Sequence, residues 1–107
     1  MCAVAIKSLA DGQLPAAKGD LYTVPAGTQA IIKTITLVNT NTTAETVNLY
    51  IYTATASRRI IPKDLSFGIS YLLVYDDEFT LEAGEKIQGD TTTASKVDYV
   101  ISGVQNA

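Results

Sequence analysis

The stretch that decides the fold is Thr46-Val47-Asn48-Leu49-Tyr50-Ile51-Tyr52-Thr53-Ala54, because its aliphatic side chains occur at every second position. In an extended chain, successive side chains point to opposite sides. The aliphatic set falls on one side: Val47, Leu49, Ile51. The polar and aromatic set falls on the other: Asn48, Tyr50, Tyr52. This alternation predicts a half-buried β-strand with the aliphatic set in the core.

A polar loop at residues 39–44 separates this strand from the longest strand of the chain, Gln29–Asn39. We expect one face of that longer strand to carry Ile31, Lys33, Ile35 and Leu37. The other face is expected to carry Ile32, Thr34, Thr36 and Val38. Both faces are then partly apolar, as expected where a sheet is covered or packs against a neighbouring subunit.

Shorter strands fill the rest of the chain. They are predicted at residues 3–9, 19–24, 58–61, 71–75, 79–82, 85–89 and 96–104. The first ends in a turn at residues 10–12, and residues 63–68 are expected to form a turn or a single helical turn. The fold class is therefore all-β: an antiparallel, jelly-roll-like β-sandwich of eight or nine short strands. One domain spans residues 1–107, with residues 1–20 as a candidate N-terminal arm plus the first strand.

Two segments echo each other half a chain apart. Residues 22–27 and 79–84 share the order aromatic, Thr, aliphatic, any residue, Ala, Gly. Each predicts a strand running into a tight turn, and the two turns could occupy similar corners of two packed sheets. The alternative is a coincidence of common Ala-Gly hairpins.

The composition excludes several kinds of chemistry. The chain has no His, no Trp and one Cys, and its net charge is −3. The commonest general base and metal ligand is thus missing, and no disulfide can close within one chain. We predict no enzymatic activity and no cofactor. The few basic residues are spread thinly, which argues against nucleic acid, and no apolar run is long enough to span a membrane. No secretory signal is recognised, so synthesis in a cytoplasm is expected, with Cys2 a free, inert thiol.

Five segments in order resemble a group of small structural proteins of tailed bacteriophages. They read LYTVPAGT at 21–28, IKTITLVNT at 32–40, RII at 59–61, LEAGEKIQG at 81–89 and VDYVISGV at 97–104. The resemblance implies a capsid decoration (cement) or tail-associated protein that often trimerises on the virion. It implies a homo-oligomer, preferably a trimer, with a major capsid protein or tail protein as partner. No catalytic residues come with it.

Four residues are the candidate partner interface: Arg58, Arg59, Tyr50 and Tyr52. The arginines could anchor the domain on an acidic capsid or tail surface, or they could protect an edge strand from aggregation. The tyrosines, with Tyr22, form an aromatic stripe suited to a subunit interface, a core edge or the stacking of sugars.

A carboxylate run at Asp76-Asp77-Glu78 could bind Ca²⁺ with help from Asp90 or Asp98, although the spacing matches no calcium loop and favours a solvated turn. We therefore expect a non-enzymatic virion structural protein, a capsid decoration or cement protein that stabilises the assembled head. The alternatives are a tail or baseplate component and a module that binds host-surface carbohydrate or a receptor.

Overall fold

The computed structural model describes residues 4–53, 56–69 and 71–106, and this part of the chain forms ten strands. They are β1 (Val4–Gln13), β2 (Gly19–Thr23), β3 (Gln29–Asn39), β4 (Glu45–Thr53), β5 (Ala56–Arg59), β6 (Leu65–Phe67), β7 (Leu72–Tyr75), β8 (Phe79–Leu81), β9 (Lys86–Thr91) and β10 (Val97–Asn106). Ala3 and Ala54, which the sequence placed at strand ends, and Cys2, predicted as a free thiol, lie outside the described residues.

The strands form two antiparallel sheets that pack face to face. The first sheet has the order β1-β10-β3-β7, with β8 also paired to β3. The second has the order β2-β9-β4-β5, with β6 also paired to β4. Because β5 and β6 share one position and β7 and β8 share another, ten strands fill eight positions. This is the two-sheet arrangement of a jelly roll, and the predicted fold class is confirmed.

The core lies between the sheets and is aliphatic. Val47 and Leu49 of β4 are fully buried there, and Ile51 packs against the same cluster, as the alternation of β4 predicted. Val97, Tyr99 and Ile101 of β10 face the same core from the other sheet. Buried Val, Leu and Ile side chains each stabilise such a core by about 1.5–3 kcal/mol.

The expected faces of β3 are wrong over its first half. Ile32 is buried and Ile31 is exposed, whereas Ile35 and Leu37 are buried farther along. The pairing with β10 explains the switch: Ser102 pairs with Thr34 but Gly103 pairs with Ile32, so Lys33 is an extra residue in a β-bulge. A bulge inserts one residue into a strand and reverses the alternation beyond it.

Other differences have similar local causes. The predicted turn at residues 10–12 is part of β1, which passes a bulge at Leu9 and stays paired with β10 as far as Gln13. The predicted turn at 63–68 contains β6, because Leu65–Phe67 pairs with β4 after Asp64 turns the chain with φ 49°. The strand expected at 58–61 lies at Ala56–Arg59.

The echoed segments are corners that join the two sheets, not hairpins. The backbone N–H of Thr28 donates to Pro25, and that of Glu85 donates to Glu82, each closing a tight turn. Gly27 and Gly84 hold the third position of these turns with φ of 75° and 85°, values that favour glycine. The corners lie side by side, because Val24 accepts a hydrogen bond from the N–H of Gly84.

Candidate functional site

Three of the four candidate interface residues lie on the outer face of the second sheet. Tyr50 and Tyr52 point outward from β4, opposite the inward side chains of Leu49 and Ile51. Arg59 is the cross-strand neighbour of Tyr50, so the structure brings these two side chains together. Arg58 pairs with Ile51 and therefore projects to the opposite side of the sheet edge.

Tyr50 is a packed residue and not a free aromatic platform. Only 6% of it is exposed, and its hydroxyl donates a 2.9 Å hydrogen bond to Oδ2 of Asp90. Two cations cover its ring: Nζ of Lys18 lies 4.1 Å from the ring centre and Cζ of Arg59 lies 4.9 Å from it. Burial, together with the bond to Asp90, raises the pKa of the Tyr50 hydroxyl. The ring is therefore unsuited to stacking on a sugar.

Asn48 is the centre of the polar network beside Tyr50. Its amide nitrogen donates to Oδ1 of Asp64 at 3.0 Å and to Oδ1 of Asp90 at 2.8 Å. Its amide oxygen accepts from the backbone N–H of Asp64 and from the guanidinium of Arg59. All four hydrogen-bonding positions of this buried amide are used, so the network fixes the β5–β6 connection against β4. The sequence showed only that Asn48 faces outward.

The other tyrosines of the predicted stripe are separated from Tyr50. Tyr52 lies at the end of β4, with Nζ of Lys86 5.9 Å from its ring centre. Tyr22 is buried, and its hydroxyl accepts a hydrogen bond from Gln105 of the first sheet. No continuous aromatic stripe forms.

An apolar strip lies on the outer face of the first sheet, where the sequence named no interface residue. Its members are Val38, Leu72, Val74 and Val100. Leu72 is 63% exposed and is the cross-strand neighbour of Val38. Thr36 separates Val74 on one side from Val100 on the other. Exposed aliphatic side chains gathered on one face of a sheet are a candidate interaction surface. The signal was present in the unbroken apolar run at residues 71–75.

The carboxylate run Asp76–Glu78 lies on the loop between β7 and β8, and all three side chains are exposed. Glu78 forms an ion pair with Lys33. Asp90 is committed to the network on the second sheet, and Asp98 accepts from Gln13. Neither joins the run, and the described residues contain no cluster of three or more ligands suited to a metal ion.

Glu45 is a buried carboxylate at the start of β4. Its Oε1 accepts from the backbone N–H of Thr93 at 2.8 Å, and its Oε2 accepts from Asn41 at 3.1 Å. The Thr91 hydroxyl lies 3.3 Å away but donates its one proton to the closer carbonyl of Thr46, at 2.7 Å. Burial raises the pKa of Glu45, but the donated hydrogen bonds outweigh it and hold the pKa below its ordinary value.

The part of the chain that the structure describes holds no detectable cavity. Over the same residues, no helix has the length and apolar character needed to cross a membrane.

The sequence matches no protein-family model and no curated protein. Solved structures do share the fold. A chain from the capsid of Helicobacter pylori bacteriophage KHP30 is 11% identical with a TM-score of 0.55, over 100% of this chain and 94% of that one. A chain from disulfide-linked pili of Bacillus endospores is 12% identical with a TM-score of 0.58, over 98% and 88%.

A chain of infectious bursal disease virus, Gx strain, is 13% identical with a TM-score of 0.55. The alignment covers 99% of this chain but 32% of the viral one, so this chain spans about a third of that relative. At these identities the likeness shows the fold: this chain shares its β-sandwich with viral and phage capsid proteins.

Proposed function

We propose that the protein is a non-enzymatic structural component of a bacteriophage virion that decorates and cements the assembled capsid. The observation that carries this proposal is the apolar strip of Val38, Leu72, Val74 and Val100, which is exposed on a sandwich whose described residues enclose no cavity. A broad apolar surface suits attachment to another protein, where excluding water from aliphatic side chains supplies binding free energy.

Two further observations support a role on a capsid. The phage capsid chain matches this chain over nearly the full length of both, so the likeness covers the whole sandwich and not one part of it. The segments that resemble small phage structural proteins include the two corners and β10, which are the parts that define the sandwich. A protein that binds the assembled particle, and not the separated coat subunits, stabilises the particle by mass action.

In this proposal, the candidate interface residues Arg58, Arg59, Tyr50 and Tyr52 have a secondary role. Arg58 is exposed and remains available to an acidic partner, whereas the exposed Arg59 already donates to Asn48 and covers the Tyr50 ring. Tyr50 supports the surface from beneath by positioning Arg59. The particle-facing surface is the apolar strip, with a major capsid protein as the partner.

The test uses particles that lack the protein. Adding the purified chain back should produce co-sedimentation with the particles and should raise the temperature at which they release DNA. The double variant Val38→Glu/Val100→Glu places two charges in the apolar strip and should abolish both effects. The matched control Ala17→Glu/Thr23→Glu adds the same charge at exposed positions near the second sheet and should behave as the wild type.

A different outcome would assign a different function. If particles without the protein were equally heat-stable but failed to adsorb to the host, the cement role would be wrong. The chain would then be a tail component or a module for host-surface carbohydrate or a receptor.

A further inference from the structure

One lateral side of the sandwich carries two unpaired strand edges. We name it the crossing side, because the chain passes there from the second sheet to the first between β6 and β7; it comprises residues 56–69 and 71–81. Its edge strands are β5 and β6 on the second sheet and β7 and β8 on the first. Among the described residues, each of these strands has a single pairing partner, so its outer edge is open.

The two sheet edges lie one above the other at the crossing side. The rings of Phe67, at the end of β6, and Tyr71, just before β7, meet edge to face with centres 6.4 Å apart. Asn39 of β3 donates to the carbonyl oxygens of Phe67 and Gly68, which fastens the crossing segment to the first sheet. The relative position of the two edges is therefore fixed by packing.

Opposite charges are divided between the two edges. The second-sheet edge carries a basic group: Arg58, Arg59 and Lys63, all exposed. Arg58 and Arg59 project to opposite sides of this edge, and the exposed Asp64 beside Lys63 accepts a hydrogen bond from Asn48. The first-sheet edge carries the acidic group Asp76–Glu78, also exposed. The ion pairs found within the described residues are Lys33 with Glu78 and Lys86 with Asp20, so none joins the basic group to the acidic group.

Apolar side chains accompany these charges. The crossing segment supplies Ile69 and Tyr71, which are 54% and 60% exposed, whereas Leu72 and Val74 belong to the apolar strip on the outer face of the first sheet. β7 itself carries neither a charge nor a bulge. A charge or a bulge on an edge strand usually prevents it from pairing with another chain. The edge strands on the other side of the sandwich, β1 and β2, both contain bulges.

We propose that the crossing side binds the crossing side of a second copy of this chain about a two-fold axis. The axis runs along the strands, so the first-sheet edge of each copy faces the second-sheet edge of the other. The acidic group of each copy then meets the basic group of its partner, and the contact occurs twice. The exposed apolar residues of both copies pack between the two charged contacts.

The placement of both charged groups on one side is what selects two-fold symmetry. An isologous contact uses the same surface on both copies and therefore engages both groups of each copy at once. A three-fold ring needs complementary groups on different sides of the subunit. The proposal thus replaces the trimer implied by the family resemblance with a dimer, and it goes beyond attachment to a particle because it concerns the isolated chain.

The test is a charge exchange measured by sedimentation velocity. The wild type at about 100 μM in low salt should sediment as a species of twice 11.4 kDa, at the weak end of specific association. The variants Asp76→Lys/Asp77→Lys and Arg58→Glu/Lys63→Glu should each dissociate, with the dimer weakened at least about tenfold. An equimolar mixture of the two variants should restore the dimer, because both charged contacts are again between opposite signs.

A control separates local contact from net charge. Asp11→Lys/Asp98→Lys changes the net charge by the same amount as Asp76→Lys/Asp77→Lys but lies on β1 and β10, away from the crossing side. It should remain a dimer. A monomeric wild type overturns the proposal, and the crossing side would then be a candidate contact with a coat protein. A trimeric wild type, or variants that fail to recover when mixed, also overturns it. Particle binding by the Val38→Glu/Val100→Glu variant is a separate measurement, so failure of one proposal is distinguishable from failure of the other.

Discussion

Glu45 shows how one residue makes the fold depend on pH. It is 3% exposed and has no basic partner among its hydrogen-bond donors, which are the Thr93 backbone and the Asn41 amide. A buried carboxylate without enough donors would have its pKa raised by desolvation. Here the donors prevail, so folding favours the charged form of Glu45.

The pH dependence follows from the sign of that shift. Because the folded-state pKa lies below the ordinary value of 4.5, the stabilising contribution of Glu45 is fully present above that pH. It is lost as the pH falls through the folded-state pKa. We expect the free energy of unfolding, measured by urea titration, to fall from about pH 5 downward.

The variant Glu45→Gln tests this assignment. At pH 7 it should lower the free energy of unfolding by about 1–3 kcal/mol, because an amide cannot accept all the bonds that the carboxylate accepts. The difference from the wild type should shrink at pH 3. The exposed Asp77→Asn serves as the control and should change little at either pH. An equal loss at both pH values would show that Glu45 contributes through its shape and not through its charge.

At the scale of the element, the bulge in β3 depends on a glycine in the neighbouring strand. Gly103 of β10 lies opposite the bulge at Lys33, where the backbone of β3 approaches β10 closely. A Cβ atom at Gly103 would overlap the carbonyl oxygen of Ile31, and backbone atoms cannot move aside as a side chain can. The bulge and the glycine therefore require each other.

Gly103→Ala should be strongly destabilising. We expect a loss of about 3 kcal/mol or more in the free energy of unfolding, from overpacking against backbone. Gly27→Ala is the matched comparison, because its Cβ would meet nothing within 4 Å and only the positive φ opposes it. Its cost should be about 1 kcal/mol, measured by the same thermal or urea unfolding. Similar losses in the two variants would contradict the role given to the bulge.

The strands differ in how well the sequence predicts which of their faces is buried. The alternation in β4 predicted its buried face, because Val47, Leu49 and Ile51 keep an uninterrupted two-residue period. The faces of β3 were not predictable, since the bulge at Lys33 is set by the strand that pairs with it. The sequence identified Tyr50 and Arg59 as candidate interface residues. It could not show that Tyr50 is buried, because the burial depends on Lys18 and Asp90, which are distant in sequence.

At the scale of the whole molecule, the two outer faces differ in chemistry. The first sheet presents the apolar strip, and the second presents the network around Asn48 with its basic side chains. The proposed contact with the particle and the proposed contact with a second copy of the chain should therefore respond differently to salt. Aliphatic contacts do not weaken when salt is added, whereas exposed ion pairs are screened.

Salt titration separates the two contacts in one preparation. Raising NaCl from about 0.1 to 1 M shortens the Debye length from about 10 to 3 Å. We expect the dimer to weaken over this range while co-sedimentation with particles is maintained. Sedimentation velocity follows the first effect and particle pelleting the second. Loss of particle attachment in step with the dimer would mean that attachment requires two joined copies.

The position of β10 has a consequence for biosynthesis. β10 is the last described strand in the sequence, yet it lies inside the first sheet, between β1 and β3. While residues 97–106 are still within the ribosome, β1 has no neighbour in its sheet and the inner face of β3 lacks much of its cover. Pairings between strands so distant in sequence form slowly. The nascent chain therefore exposes its future core until synthesis has passed β10, and a chaperone that shields apolar segments has its greatest effect on yield during that interval.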